Sequence, residues 1–209
     1  NGSSGTDGDI VLDDAVTWSS GTVLTLSAFR DIAVNANLSA TGANAGLVMK
    51  ADNTGTGTGT VAFGTGAAAS LSGAGSTALI YYNPASFGTA TDFSGNVTAG
   101  TVTAYQLVRT LDQLQAINDH SMANSFALGR DIDASATASW NAGAGFVPLG
   151  TDGAGSVFNP ESDWALAGFT GSFDGQGHTV ANLTINRPSA RFAGLFGFAG
   201  RAARITRSV

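Results

Sequence analysis

The feature that most limits the fold is the shortness of the apolar runs. Phe169-Thr-Gly-Ser-Phe173 is followed at once by Asp174-Gly175, a dipeptide suited to positive-φ turns. Val180, Leu183 and Ile185 form a second run, stopped by Asn186 to Pro188, and Gly194-Leu-Phe-Gly197 opens a third. None of these runs can bury an apolar face alone. Each needs a neighbour stacked on it, which is how a repeat solenoid is built.

The same punctuation extends upstream. From Leu24 the even positions run Leu24, Leu26, Ala28, Arg30, Ile32, Val34, Ala36, Leu38, Ala40, a period of two with Arg30 marking a corner or outward turn. Leu47 and Met49 continue it after Gly42 to Gly46. This periodicity suits antiparallel hairpins and parallel stacking equally. Ala78-Leu-Ile-Tyr-Tyr82 reads as a buried strand ended by Asn83-Pro84, and Val102 to Val108 as another. One helix is expected near 110–119, with Thr110 as N-cap, Gln113 as its capping-box partner, and Leu111, Leu114 and Ile117 on one face. So short a helix is marginal alone and is expected to lie laterally on the stack. Charged residues make up only 11% of the chain and mean hydropathy is +0.14, which argues for a folded chain rather than a disordered one.

Charge excludes several partners. The net charge is −6 and Lys50 is the sole lysine, so a basic face for nucleic acid or anionic lipid is missing. Arg187, Arg191, Arg201, Arg204 and Arg207 nonetheless crowd the C-terminal end, as ordinary exposed positions or as a docking patch. Cysteine is absent, which removes disulfides and thiolate metal sites. No apolar run approaches the ~20 residues that span a bilayer, and Asn1-Gly-Ser-Ser-Gly5 is not a signal-peptide start.

The chemistry-bearing residues are sparse. His120 and His178 read as turn residues, and neither Gly-x-Ser-x-Gly nor His-Glu-x-x-His occurs. Asp131 and Asp133 lie two apart, hence on one strand face, with Asp174 on a later coil; converging, the three could cleave a glycosidic bond by acid–base chemistry. Asp7, Asp9, Asp13 and Asp14 form an acidic group of calcium's preferred ligand type, but the calcium-binding nonapeptide is absent, so no metal or other cofactor is expected. Thr54, Thr56, Thr58 and Thr60 alternate with glycine, either as an ice-binding ladder or, in the simpler reading, as a glycine-rich loop. Trp140, Phe146, Trp164 and Phe169 sit in a glycine-rich stretch, where rings plug loops onto a surface or offer a face to a sugar. Trp140 and Trp164 are the candidate ligand contacts.

Several of these segments resemble one family. Gly194-Leu-Phe-Gly197 resembles the GLUG-type repeat of large secreted bacterial surface proteins. The stretch Tyr105 to Asn118, continued by Ala127-Leu-Gly-Arg-Asp-Ile-Asp-Ala-Ser135, resembles the segment preceding that repeat in filamentous-haemagglutinin-like exoproteins. Gly8-Asp-Ile-Val-Leu12 and Leu24-Thr-Leu-Ser-Ala28 resemble repeats of the same family. The resemblance implies an all-β, right-handed parallel β-helix with one short lateral helix, at about 20 residues per coil. It divides the chain into repeat coils over 1–104 and continuing coils, helix and GLUG-type repeat over 105–209, a piece of a longer protein. It further implies two-partner secretion through an outer-membrane transporter to the bacterial cell surface. There the chain would serve as an adhesin or filament segment, not an enzyme. Expected partners are a host or matrix component, including glycans, and further copies joined end to end. The alternative is a polysaccharide-processing enzyme using Asp131, Asp133 and Asp174.

Overall fold

A computed structural model describes residues 8–154 and 168–207. The chain divides into two compact units, Asn1–Leu107 and Val108–Val209. In the first, short strands come in sets of three around tight corners. The first set is β1 (Ile10–Leu12), β2 (Val16–Trp18) and β3 (Val23–Ser27); the second is β4 (Ile32–Val34), β5 (Leu38–Ala40) and β6 (Gly46–Lys50). The third is β7 (Val61–Phe63), β8 (Ala69–Leu71) and β9 (Thr77–Tyr82), followed by β10 (Val97–Ala99) and β11 (Thr101–Val108).

Each strand pairs in parallel with its counterpart in the next set. The orders β1-β4-β7 and β10-β8-β5-β2 make two sheets, and β11, β9, β6 and β3 follow one another in a third. Parallel pairing resolves the choice that periodicity leaves open. Register stacks like on like: Ile10 on Ile32 on Val61, and Leu24 on Leu47 on Ala78. Ile32, Val34, Leu38, Leu47 and Met49 are wholly excluded from solvent, each worth about 1.5–3 kcal/mol of burial. Their counterparts in the first set, Ile10, Leu12, Val16, Leu24 and Leu26, are only half-buried.

The corners carry a repeated device. A side-chain oxygen immediately before one strand accepts the amide N–H at the matching position of the next set. Asp9 accepts from Asp31 at 3.0 Å, Asp31 from Thr60 at 2.7 Å, and Asn37 from Ala68 at 3.0 Å. Just past the strands, Asn35 donates to Asp13 at 2.8 Å. Arg30 does mark a corner, and its guanidinium returns to Asp9. Corner spacing tolerates no side chain at Gly73, where a Cβ would stand 1.9 Å from the Gly42 carbonyl oxygen.

In the second unit α1 (Leu111–Ala116) runs into a 3₁₀ turn, Ile117–Asp119. Thr110 caps it, accepting from the Gln113 amide at 3.1 Å, while the Gln113 side chain reaches one residue further back than a capping box, to the Arg109 amide. Five strands follow: β12 (Phe126–Leu128), β13 (Ile132–Asp133), β14 (Ser172–Asp174), β15 (Val180–Ala181) and β16 (Arg204–Thr206). β14 lies between β12 and β16, and β13 pairs with β15, all in parallel. An isolated antiparallel bridge joins Gly145 to Ile185.

Spacing departs from the expected 20 residues. Corner partners lie 22 and 31 apart in the first unit and 47 to 49 apart in the second. The extra length of the second unit lies in inserts such as Ser135–Gly143, where 3₁₀ turns are broken by non-helical backbone at Trp140, Asn141 and Ala142. Gly194 to Gly197 makes no regular strand. Phe196 bridges in parallel to Leu149 and sets its ring 5.2 Å from both Phe169 and Phe173. Phe146 and Phe169, fully buried, are plugs as the simpler reading of those rings has it.

Candidate surface sites

The helix is tied down by amides rather than by its apolar face alone. Gln115 mimics an adjacent strand: its side chain donates to the Val147 carbonyl at 3.1 Å and accepts from the Val147 amide at 2.8 Å. Asn118 accepts from the Gly150 amide at 2.9 Å and donates to the Pro148 carbonyl at 3.3 Å. Beside these contacts lies a depression of about 330 Å³ lined by Gln115, Asn118, Asp119, Val147, Thr151 and Asp152. The periodicity that locates the helix says nothing of this tether. Two amide side chains three residues apart on one helix face were its only signal in the sequence.

Trp140 is half-buried at the start of a tight loop. Asn141, Ala142, Gly143 and Gly145 all have positive φ there, and the Asn141 side chain donates to the Gly145 carbonyl at 2.7 Å. Ala142, at φ 55°, holds the left-handed conformation without glycine's freedom. This loop abuts Arg187, whose guanidinium donates to the carbonyls of Phe146, Gly153 and Gly145 at 3.1, 3.0 and 3.3 Å. A second depression, about 270 Å³, opens beside Arg187, Asn186 and Ser189. Trp164 lies outside the described residues.

The aspartates of the enzyme reading are engaged in the fold. Asp131 accepts from the Thr179 amide at 2.8 Å and lies 3.3 Å from Nδ1 of His178. The Thr179 bond first, then His178, holds its carboxyl below the usual carboxylate range. Asp133 accepts from the Asn182 side chain and the Ser135 amide, and both bonds lower its pKa. Asp174 is buried and accepts from the Gln176 amide at 2.9 Å. None of the three lines either depression. His120 ends the 3₁₀ turn after α1.

Asp9, of the acidic group, is paired with Arg30, which holds its pKa down, and Asp7 is outside the described residues. Among the described residues no group of three or more His, Cys, Asp or Glu is clustered as a metal ion requires. The threonine-rich stretch is a loop folded over buried Asp52, which accepts from the amides of Thr56 and Gly57 and from the Thr56 hydroxyl. Of the C-terminal arginines, Arg191, Arg201, Arg204 and Arg207 are exposed, whereas Arg187 is half-buried. No described helix is long and apolar enough to cross a membrane.

Comparison with known proteins gives one partial likeness. The chain is 44% identical over 109 residues to Halomucin from the archaeon Haloquadratum walsbyi (strain DSM 16790 / HBSQ001). The match takes in 50% of this chain and 1% of that protein. No family profile matches, and no solved structure does.

Proposed function

We propose that the chain is a segment of a secreted surface protein, a right-handed parallel β-helix acting as a stiff spacer whose lateral loops meet an outside partner. The observation that carries this is the rotation of strands through three parallel sheets, joined set to set by the corner hydrogen bonds. Closure of those sheets around one core makes the apolar columns continuous, and parallel crossovers are right-handed in nearly all proteins. Such a body presents walls and loops rather than a deep pocket. The Halomucin likeness supports a surface or extracellular setting, though from an archaeal relative, so it does not favour a bacterial origin. The resemblance to filamentous-haemagglutinin-like exoproteins, with two-partner secretion, rests on the residues quoted for it.

The Trp140 loop is the contact we assign to the partner, a matrix component or glycan. A partly exposed indole on a loop fixed by backbone hydrogen bonds offers a sugar a flat apolar face at little entropic cost. The test is binding of the purified chain to glycan and matrix-protein arrays, beside the Trp140→Ala variant. Saturable binding lost in the variant supports the reading. Depolymerisation of an arrayed polysaccharide, abolished by Asp131→Asn, would replace it with the enzyme reading.

A further inference from the structure

Arg187 differs from the other arginines near the C-terminal end in being half-buried, and the backbone around it is shaped to hold its head. Its Nε, Nη1 and Nη2 each donate to one carbonyl, those of Phe146, Gly153 and Gly145. Gly153 is needed there: its φ is 73°, and a Cβ would stand 2.9 Å from Nη1. The Gly145 carbonyl also accepts from Asn141, and the Gly145 amide donates to the Trp140 carbonyl at 3.0 Å. One hydrogen-bonded unit therefore runs from the Trp140 loop to the guanidinium.

That cradle consists of neutral acceptors. Among the described residues no carboxylate pairs with Arg187. A guanidinium carries five N–H donors, so two remain beyond those given to the three carbonyls. Withdrawing a charge from water without a counter-ion is costly, and a fork of N–H groups matches the two oxygens of a carboxylate. The depression of about 270 Å³ beside Arg187 is walled by two successive strand sets of the second unit: Ala144 and Gly153 from one, Asn186 to Ala190 from the next. Ala190 donates to the Arg187 carbonyl at 3.0 Å, closing a turn that presents exposed Ser189 as a further donor. Asp152, one residue before Gly153, lines the other depression. The volume falls below the ~300–1,000 Å³ of sites that enclose a drug-sized ligand, so it suits one sugar unit rather than a length of chain.

We propose that this depression receives the carboxylate of a uronic-acid unit, which makes the glycan met by the Trp140 loop an acidic one. Arg187 pairs with the carboxylate, Ser189 donates to an oxygen of the same sugar, and the indole takes an apolar sugar face. The net charge of −6 repels polyanions at large, so an acidic sugar is held by a local site or not at all. The inference rests on the glycan reading of Trp140 and adds to it the charge of the ligand.

The experiment is calorimetric titration of the purified chain with oligogalacturonate, with oligoglucuronate, and with the methyl ester of each. Expected is an acid bound about tenfold or more tighter than its ester, the difference that a charge-assisted hydrogen bond supplies. Arg187→Gln should bring the acid down to the level of the ester, and Trp140→Ala should weaken both alike. The acid–ester comparison on wild type needs no substitution, so it decides the matter even if Arg187→Gln disturbs the loop. Acid and ester bound equally overturns the inference and leaves the Trp140 reading standing. An acid preference that survives in folded Arg187→Gln also overturns it. An acid preference lost in Arg187→Gln but untouched by Trp140→Ala keeps the Arg187 site and removes the Trp140 reading. Neither acid bound at millimolar concentration overturns the inference, and ester binding lost in Trp140→Ala would then still support the Trp140 reading.

Discussion

The Asp131 carboxylate accepts a 2.8 Å hydrogen bond from the amide of Thr179, the same bond, at the same point before a strand, that Asp31 accepts from Thr60. Asn182 donates to Asp133 as Asn35 donates to Asp13. Two units with different spacings between strand sets therefore use the same corner chemistry. An acceptor side chain reaches one layer onward to an N–H that the bend of the backbone leaves free, and buried or half-buried amides left unpaired are costly. Of the aspartates that first suggest a catalytic group, Asp131 and Asp133 join one strand set to the next, while Asp174 closes its own turn on the Gln176 amide.

That role has a pH signature. Hydrogen bonds lower the pKa of Asp9, Asp131 and Asp133 in the folded chain. Their stabilisation is complete above the unfolded carboxyl value, about 3.9, and is lost as pH falls through the lower folded values. The urea midpoint should hold steady from pH 7 to about 5 and decline below it. Asp131→Asn should flatten the decline and still accept the Thr179 amide, as Asn37 does for Ala68. Asp131→Ala should lower the midpoint at neutral pH.

Layer position should set the cost of core truncation. Leu47 is fully buried and Leu24, its register partner, is half-buried. Leu47→Ala should cost about 2–5 kcal/mol in equilibrium unfolding and Leu24→Ala about half of that or less. Equal losses would mean that Leu24 is as well covered in solution as Leu47.

Backbone conformation offers a stabilising change. Ala142 has φ 55°, a region that costs an alanine roughly 1 kcal/mol. Ala142→Gly should raise stability by up to about 1 kcal/mol, the relief exceeding the added entropy of the unfolded chain. The reverse case is Gly73→Ala, which drives a methyl into the Gly42 carbonyl and should lower the melting temperature sharply.

The helix tether can be cut alone. Gln115→Ala removes the acceptor of the Val147 amide and the nearer of the two donors to its carbonyl, leaving Asn118 at 3.4 Å, and should cost about 1–2 kcal/mol. Hydrogen exchange should speed at the Val147 amide while the Leu114 amide, bonded within the helix to Thr110, stays protected.

Much of this was legible because the strands obey simple rules. Period two placed Ile32, Val34 and Leu38 in the core, and Ala78 to Tyr82 as a strand, since burial on one face leaves that trace in any β-sheet. Thr110, Leu114 and Ile117 located the helix for the same kind of local reason. Parallel pairing was not legible in the alternation, which is identical in both directions, and was expected only from the family resemblance. The spacing of 47 to 49 residues was hidden by Ser135–Gly143 and its neighbours, whose glycines and alanines carry no period. The corner device was present in plain view: Asp9-Ile-Val-Leu-Asp13 recurs as Asp31-Ile-Ala-Val-Asn35, and its acidic ends accept hydrogen bonds from the next strand set.

Strand direction is the claim beneath all the others, and paired cysteines read it directly because the chain has none of its own. Ser27 and Lys50 are register partners in the parallel pairing of β3 with β6, about 4.8 Å apart, within disulfide reach. Ser27→Cys/Lys50→Cys should close an intramolecular disulfide under mild oxidation, with Val23→Cys/Lys50→Cys remaining open. Closure of the second pair instead of the first would show an antiparallel hairpin, and the stacked layers would not exist.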